Sequence, residues 1–198
     1  MKYITYLIFF GFIVVLLLFL KNALQPKIEP ASITGSDKCG ECHQLKINGD
    51  QQSIWENSKH SLGYKSLLTQ RAIDFAVKNG LEQPINNKLC LKCHTTVNHL
   101  AGVSKLISYR IEEGVGCESC HGAGSNYSPA KIKTDDYLFI HSGGKKGDEK
   151  TCLECHSEKG NKEQKLKDDV CPFQSSDFIY NTEFDKIKHP VNKNNFSN

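Results

Sequence analysis

Four copies of the five-residue pattern C-x-x-C-H stand out in the sequence, and they predict covalent attachment of c-type haem. Each cysteine of such a pattern can form a thioether with a vinyl group of the porphyrin, and the histidine that follows can bind the iron as its proximal ligand. The copies are Cys39-Gly-Glu-Cys42-His43, Cys90-Leu-Lys-Cys93-His94, Cys117-Glu-Ser-Cys120-His121 and Cys152-Leu-Glu-Cys155-His156. Together they use eight of the nine cysteines and four of the eight histidines, so four haems are expected.

Two other uses of paired cysteines, zinc binding and disulfide formation, explain the pattern less well than haem does. Zinc sites often contain C-x-x-C pairs, but they do not require a histidine directly after the second cysteine. A disulfide framework would suit an exported chain, yet it leaves the repeated histidine unexplained. Haem accounts for all three specified positions of the pattern, the two cysteines and the histidine.

Each haem iron can take a second ligand on its other face, and histidine is the residue available for it. The sequence has a single methionine, Met1, which excludes the thioether ligand that raises haem potentials. Four histidines lie outside the motifs: His60, His99, His141 and His189. Ligation by two histidines favours low potentials and suits electron transfer, because both ligands stay bound on reduction.

The four histidines differ in context. His60 follows Trp55 on a predicted helix, and His189 precedes Pro190 at the end of another; both favour ligation. His141 ends an apolar stretch that could bury its ring, whereas His99 lies only five residues beyond His94 and cannot easily reach the opposite face of its own haem. His99 is therefore either a ligand of a neighbouring haem or an exposed side chain.

Cys171 is the cysteine left over from the four motifs. Its neighbours Pro172 and Phe173 favour a partly buried thiol. An intermolecular disulfide and thiolate ligation of a metal are the alternatives.

The N-terminus has the composition of a membrane-targeting segment. Tyr3 to Leu20 is almost entirely apolar, with Lys2 before it and Lys21 after it. Residues 1–22 are expected to form an uncleaved transmembrane anchor, with a cleaved signal peptide as the alternative. Both interpretations place the rest of the chain on the periplasmic side. Residues 23–35 are expected to be a linker, 36–191 the tetrahaem domain and 192–198 a disordered tail.

The composition outside the N-terminal segment is polar, and few long hydrophobic runs remain. A domain of this size usually buries a larger apolar core, so we expect the polypeptide to wrap around the flat apolar haems. The formal charge of the chain is +3, which the propionates of four haems would offset. This charge balance does not support binding to nucleic acid.

The patterns between the motifs predict a mainly α fold with much irregular structure and no convincing sheet. Helices are expected over Ser53–Leu68, over Arg71–Lys78 with a stop at Gly80, and over Phe184–His189. Asp148 is expected to cap the helix that leads into the fourth motif.

Several segments resemble the tetrahaem cytochrome c-554 family, over about residues 36–191. The first motif is followed by Trp-Glu-Asn-Ser-Lys-His-Ser-Leu-Gly-Tyr from Trp55; the other segments that resemble the family are Glu113-Gly-Val-Gly-Cys-Glu-Ser-Cys-His-Gly-Ala-Gly-Ser, Asp148-Glu-Lys-Thr-Cys-Leu-Glu-Cys-His and Phe184-Asp-Lys-Ile-Lys-His-Pro. The resemblance implies a mostly helical, compact multihaem cytochrome with closely packed haems that passes electrons in the periplasm.

The resemblance also implies an assignment of the second ligands. It assigns His60 to the third haem and His189 to the fourth, and it leaves the second haem, on His94, without a distal ligand. The family usually takes the second ligand of the first haem from the stretch after the third motif. Here that stretch contains Asn126 and Tyr127, and the next histidine is His141, which we assign to the first haem.

Three functions follow from these patterns. The leading one is electron transfer between a donor and an acceptor protein, which needs no substrate pocket. The second is an enzyme that reduces nitric oxide, nitrite or hydroxylamine at an open iron on His94. The third is a membrane quinol dehydrogenase, a class that also joins an N-terminal helix to four haems but differs in the spacing of its motifs.

Overall fold

The computed structural model describes residues 6, 11–16, 29–156 and 178–190, and short helices dominate it. Each helix is joined to the next by turns and irregular segments. The α-helices from residue 36 onward are α1 (Ser36–His43), α2 (Gln51–Glu56), α3 (Gly63–Ser66), α4 (Gln70–Lys78), α5 (Lys88–His94), α6 (Thr96–His99), α7 (Cys117–His121), α8 (Ala130–Lys133), α9 (Asp136–His141), α10 (Glu149–His156) and α11 (Tyr180–Phe184). Two 3₁₀ turns, Lys46–Asn48 and Ile111–Glu113, lie between them.

The prediction of a mainly helical chain with little strand is confirmed. Within the described part of the chain, β pairing is limited to an isolated parallel bridge between Ile33 and Lys105. The chain divides into two compact units, Met1–Pro30 and Ala31–Asn198. The second unit contains all four C-x-x-C-H motifs.

Each motif lies on a short helix whose last residue is the histidine. These helices are α1, α5, α7 and α10, which end at His43, His94, His121 and His156. Residues three and four positions apart are neighbours on a helix surface. The spacing therefore brings both cysteines and the histidine of a motif to one side of its helix, as attachment to one flat porphyrin requires.

The helix predicted over Arg71–Lys78 is confirmed as α4. Thr69 caps it, because its side chain accepts a hydrogen bond from the backbone N–H of Ala72. Gly80 ends it with φ +64°, and the N–H of Leu81 donates to the carbonyl of Ala76 at 2.9 Å. The cap predicted at Asp148 is also confirmed, since its carboxylate accepts from the backbone N–H of Thr151 at 2.9 Å.

Two other predicted helices differ in extent. The single helix expected over Ser53–Leu68 is α2 and α3, separated by turns that contain His60. The helix expected over Phe184–His189 is wrong, because the helix here is α11 (Tyr180–Phe184), which ends where the predicted one begins; residues 185–187 form a turn and 188–190 are irregular. In both places the histidine lies on irregular backbone, whose direction is not limited by helical periodicity.

A small apolar core lies beside the third motif. Ile33, Tyr109 and Ala123 are buried together, and Val97, Leu100 and Ile111 are among the side chains packed against them. Ile33 is fully buried and lies within the segment predicted as a linker. Its backbone N–H donates to the carbonyl of Ser104, and its carbonyl accepts from the N–H of Leu106, both at 2.8 Å.

Most of the predicted N-terminal anchor, residues 1–22, lies outside the described residues. Tyr6 and residues 11–16 are described, and they are helical and exposed. Among the described residues, no helix combines the length and the apolar character needed to cross a bilayer. Cys171 and the predicted tail at 192–198 also lie outside the described residues.

Candidate haem-binding sites

Three of the four motif histidines are oriented by a hydrogen bond at Nδ1. The Nδ1 of His43 bonds to the side-chain oxygen of Gln51 at 3.1 Å, that of His94 to the carbonyl of Gly63 at 2.9 Å, and that of His121 to the carbonyl of Lys145 at 3.0 Å. Because the acceptor is an oxygen in each case, Nδ1 carries the proton. Nε2 then has a free lone pair, as an iron-binding imidazole requires.

The first histidine pair is His60 and His156. The centres of their rings lie 6.1 Å apart, and the ring planes differ by 61°. Phe178 stacks on His156 with a centroid distance of 4.7 Å. His60 belongs to the turn between α2 and α3, and the backbone N–H of Val115 donates to its carbonyl at 3.0 Å.

The second histidine pair is His121 and His189. Their ring centres lie 5.8 Å apart. The Nδ1 of His189 is buried and has no hydrogen-bond partner among the described residues. A buried ring nitrogen without a partner is costly unless that nitrogen binds a metal or a group outside the described residues.

Both pairs have the separation that an iron between two imidazoles requires. Metal–nitrogen bonds to histidine are about 2 Å long, so two imidazoles on opposite sides of one iron have ring centres about 6 Å apart. The side chains present therefore fit haem iron at both places. Each pair joins a motif histidine to a histidine outside the motifs.

The pairing is the reverse of the one that the family resemblance implied. His60 was assigned to the third haem and His189 to the fourth, but His60 faces His156 of the fourth motif and His189 faces His121 of the third. The two assignments differ because the tertiary packing of this chain decides which histidine faces which motif. The hydrogen bond between His60 and Val115 holds the backbone of His60 beside the third motif while its ring points elsewhere.

Burial favours the neutral form of three of the paired rings. It lowers the pKa of His60, His156 and His189 below the ordinary value, and the neighbouring rings lower the pKa of His60 and His189 further. Burial likewise lowers the pKa of His43. A neutral imidazole is the form that binds a metal, so the environment of these rings favours ligation.

His99 is engaged with the fourth motif. Its Nε2 lies 3.4 Å from a carboxylate oxygen of Glu154, and its Nδ1 lies 3.8 Å from the sulfur of Cys155. Both nitrogens of His99 thus have neighbours within the protein. His94 lies on the preceding helix, where its Nδ1 also approaches the hydroxyl of Ser66 at 3.0 Å.

His141, assigned to the first haem, lies on the exposed end of α9. Its Nδ1 bonds to the carbonyl of Tyr137 at 2.8 Å, and its ring lies 3.8 Å from the Tyr137 ring, centre to centre. The first-motif histidine, His43, interacts electrostatically with Lys133 and His121. Both of these contacts of His141 are with Tyr137 and therefore lie within α9.

The thiols of different motifs lie next to one another in two places. The thiol of Cys117, together with burial, raises the pKa of Cys39, and the thiol of Cys155 lowers the pKa of Cys93 to about 7. Cys39 and Cys117 belong to the first and third motifs, whereas Cys93 and Cys155 belong to the second and fourth. The attachment points of four haems would therefore group as first with third and second with fourth.

Three polar residues near the motifs were not identified from the sequence: Gln51, Glu113 and Glu118. The side chain of Gln51 holds His43, and its amide donates to the carbonyl of Pro190 at 2.7 Å, next to His189. Glu118 is 1% exposed and binds backbone N–H groups of Thr34, Gly35 and Gly124. Glu118 lies between the cysteines of the third motif, but the motif does not specify that position.

Comparisons with known proteins agree with the haem interpretation. A family model described as cytochrome c554 and c-prime matches residues 38–122, which include the first three motifs. Cytochrome c-554 from Nitrosomonas europaea is 28% identical over 197 residues, covering 88% of this chain and 79% of that protein. No solved structure matches the chain.

Proposed function

We propose that this chain is a tetrahaem c-type cytochrome of the cytochrome c-554 family, which relays electrons between two periplasmic redox proteins. The family match over residues 38–122 and the 28% identity with cytochrome c-554 support the coarser statement, namely a c-type cytochrome with covalently bound haem that transfers electrons to and from partner proteins. The number of haems, the place in the cell and the use of each histidine are proposed.

The two histidine pairs are the observation that supports this function best. Ring separations of 6.1 and 5.8 Å join His60 to His156 and His121 to His189, so two irons would each have two axial ligands. When bound, each iron supplies a one-electron couple between its ferric and ferrous states. Histidines held on both sides keep the ligands in place through that change, which favours electron transfer over binding of a substrate.

The grouping of the thiols supports a relay. The Cys39–Cys117 contact puts the attachment points of the first and third haems together, and the Cys93–Cys155 contact does the same for the second and fourth. His60 connects the two groups, since its ring faces the fourth motif and its carbonyl binds Val115 just before the third. Electrons would thus pass between the groups through adjacent parts of one small body.

The proposal that the protein lies outside the cytoplasm depends on the N-terminal segment. The apolar run from Tyr3 to Leu20 is close to the length that spans a bilayer, and we propose that it anchors the protein on the periplasmic side. Separating the expressed protein into membrane and soluble fractions, with mass spectrometry of the N-terminus, distinguishes an anchor from a cleaved signal.

The proposed ligation can be tested on the purified holoprotein. We expect four haems per chain by mass spectrometry and a low-spin electron-spin signal from each histidine pair. Replacement of His60 by Ala should convert one haem to high spin, because its iron loses an axial ligand. Asn57→Ala, an exposed position between α2 and α3 near His60, serves as the matched control, and a low-spin spectrum unchanged in His60→Ala would contradict the pairing.

A second candidate function is reduction of a small nitrogen compound at the haem on His94. The engagement of His99 favours it, because both nitrogens of His99, the histidine outside the motifs that is nearest to His94 in sequence, already contact Glu154 and Cys155. That engagement would leave the iron on His94 with one protein ligand. Nitric oxide should then bind to one haem of the reduced wild-type protein. It should also bind to one haem of His99→Ala, because His99 is not a ligand of that iron. Failure of the wild type to bind nitric oxide would exclude this function.

A further inference from the structure

Two glutamates five residues apart, Glu113 and Glu118, differ in how their carboxylates are bound. Glu118 accepts hydrogen bonds from the backbone N–H of Thr34 at 2.8 and 3.0 Å, of Gly35 at 2.8 Å and of Gly124 at 2.6 Å. The hydroxyl of Thr34 adds another at 3.2 Å. The oxygens of the Glu118 carboxylate are thus satisfied by several buried donors.

Glu113 has far fewer donors. Its Oε2 accepts from the backbone N–H of Ser36 at 2.9 Å, whereas its Oε1 is buried without a hydrogen-bond partner among the described residues. Oε1 points toward the backbone of Gly116, where an added Cβ would lie 2.8 Å away. A buried oxygen without a donor is costly for a carboxylate and far less costly for a protonated carboxyl group.

The charges around Glu113 also favour its protonated form. Burial raises its pKa to about 7, and the negative charges of Glu118 and Asp37 add to the rise, whereas hydrogen bonds from the backbone N–H and the side chain of Ser36 oppose it. Tyr109 also interacts with it. The titratable and charged groups that face Glu113 or line the pocket beside it are Asp37, Glu56, Lys65, Tyr109, Arg110, Glu112 and Glu118, with the thiols of Cys39 and Cys117.

That pocket gives Glu113 a route to solvent. It encloses about 410 Å³, and its polar lining includes Ser61, Lys65 and Arg110 as well as Glu113. A pocket of this size and polarity can hold water molecules. Protons can therefore reach Glu113 without passing through the apolar core.

Glu113 also lies close to the predicted haem attachment points. Its charge acts on the thiols of both Cys39 and Cys117. A thioether joins the cysteine sulfur directly to the porphyrin, so a haem bonded at either sulfur is within the electrostatic range of this carboxylate. A change of one charge at the iron would therefore change the proton affinity of Glu113.

We propose that Glu113 is a redox-linked proton-binding site, which takes up a proton when an electron arrives at the first or third haem. The inference rests on the proposed electron-transfer function. The donor protein supplies one electron, which converts ferric to ferrous iron. Solvent supplies one proton, which forms an O–H bond on the Glu113 carboxylate and leaves the net charge of the site unchanged. Oxidation by the acceptor releases both.

The test is a spectroelectrochemical titration of the holoprotein at a series of pH values around 7. A proton that binds with the electron lowers the potential of the coupled haem as the pH rises, and a tenfold change in proton activity converts to about 59 mV for a one-electron couple. We expect this slope in the wild type and in Glu112→Gln, the matched control with an exposed side chain. In Glu113→Gln the slope should disappear.

A slope retained in Glu113→Gln would overturn the proposal and assign the proton to another group, such as a haem propionate. Reduced-minus-oxidised infrared spectra of the wild type provide a second measurement that does not depend on the variant folding. They should show a carboxylic acid C=O band appearing on reduction, and its absence would also overturn the proposal. If no donor protein reduced the haems of the purified holoprotein, that result would instead contradict the proposed electron-transfer function.

Discussion

The two histidine pairs are held in different ways. In the first pair, two hydrogen bonds hold the backbone of His60. The backbone N–H of Val115 donates to the His60 carbonyl, and the indole N–H of Trp55 donates to the carbonyl of Val115 at 2.8 Å. In the second pair, His189 lies near the end of the segment 178–190, and the bond from Gln51 to Pro190 links that segment to α2.

From this difference we expect the two pairs to differ in stability although their ring separations are similar. The partner of the second pair, His121, is held through α7, where Glu118 ties the third motif to Thr34 and Gly35. The helix that carries His121 is therefore held by buried hydrogen bonds, just as hydrogen bonds hold the backbone of His60. We expect the His189 side to be the easiest of the four to displace.

Glu118→Gln should have the largest effect, on both pairs. The amide keeps one acceptor oxygen but turns an NH₂ group toward backbone N–H donors, which leaves buried groups unsatisfied at a cost of roughly 3 kcal/mol or more. Denaturant unfolding of the holoprotein would measure the loss. Glu112→Gln should change stability by less than about 0.5 kcal/mol, and an equal loss in both variants would contradict the role of Glu118.

Gly114→Ala should weaken the first pair selectively. Gly114 has φ +72°, and an added Cβ would lie 2.7 Å from the carbonyl oxygen of His60 and 2.9 Å from the N–H nitrogen of Gly63. Backbone strain of this kind costs roughly 1–3 kcal/mol before the clash is counted. We expect one haem to become high spin, whereas the second pair should keep its spectrum.

Gly80→Ala is the control for that variant. Gly80 has φ +64° and no atom near its added Cβ, so the substitution introduces strain without a clash against a histidine. A change of spin state in Gly80→Ala as well would show that general destabilisation, and not displacement of His60, is responsible.

Gln51→Leu should act on the second pair and on His43. It removes the acceptor for the Nδ1 of His43 and the donor to Pro190, with an expected loss of about 1 kcal/mol per hydrogen bond. The potential of the first haem should shift, and the electron-spin signal of the second pair should broaden. Gln70→Leu on α4 is the control; spectra identical in both variants would show that Gln51 does not position these ligands.

Trp55→Phe should have the smallest effect. It removes the bond from the indole N–H to Val115 but keeps the aromatic ring, so we expect a loss of about 1 kcal/mol. Thermal unfolding followed by haem absorbance would measure it. A loss larger than that of Gly114→Ala would contradict the ranking of contacts around His60.

The local features of the fold were predictable because they depend on neighbours in sequence. Asp148 and Thr151 form a cap within one turn, and Gly80 ends α4 through its own backbone conformation. The break between α2 and α3 was not predictable, because Ser53–Leu68 has helical apolar spacing throughout. Contacts of the 57–63 segment with Gly114 and Val115, distant in sequence, decide its path.

The sequence by itself determined the chemistry of this protein: cysteine and histidine at C-x-x-C-H spacing specify haem attachment, because that spacing puts three side chains on one side of a helix. Only the tertiary structure decided which histidine faces which motif, which thiols meet, and which of two similar glutamates lacks donors. These choices depend on contacts between segments some 60 to 140 residues apart, such as Trp55 with Val115 and Gln51 with Pro190. No periodicity in the sequence encodes such contacts.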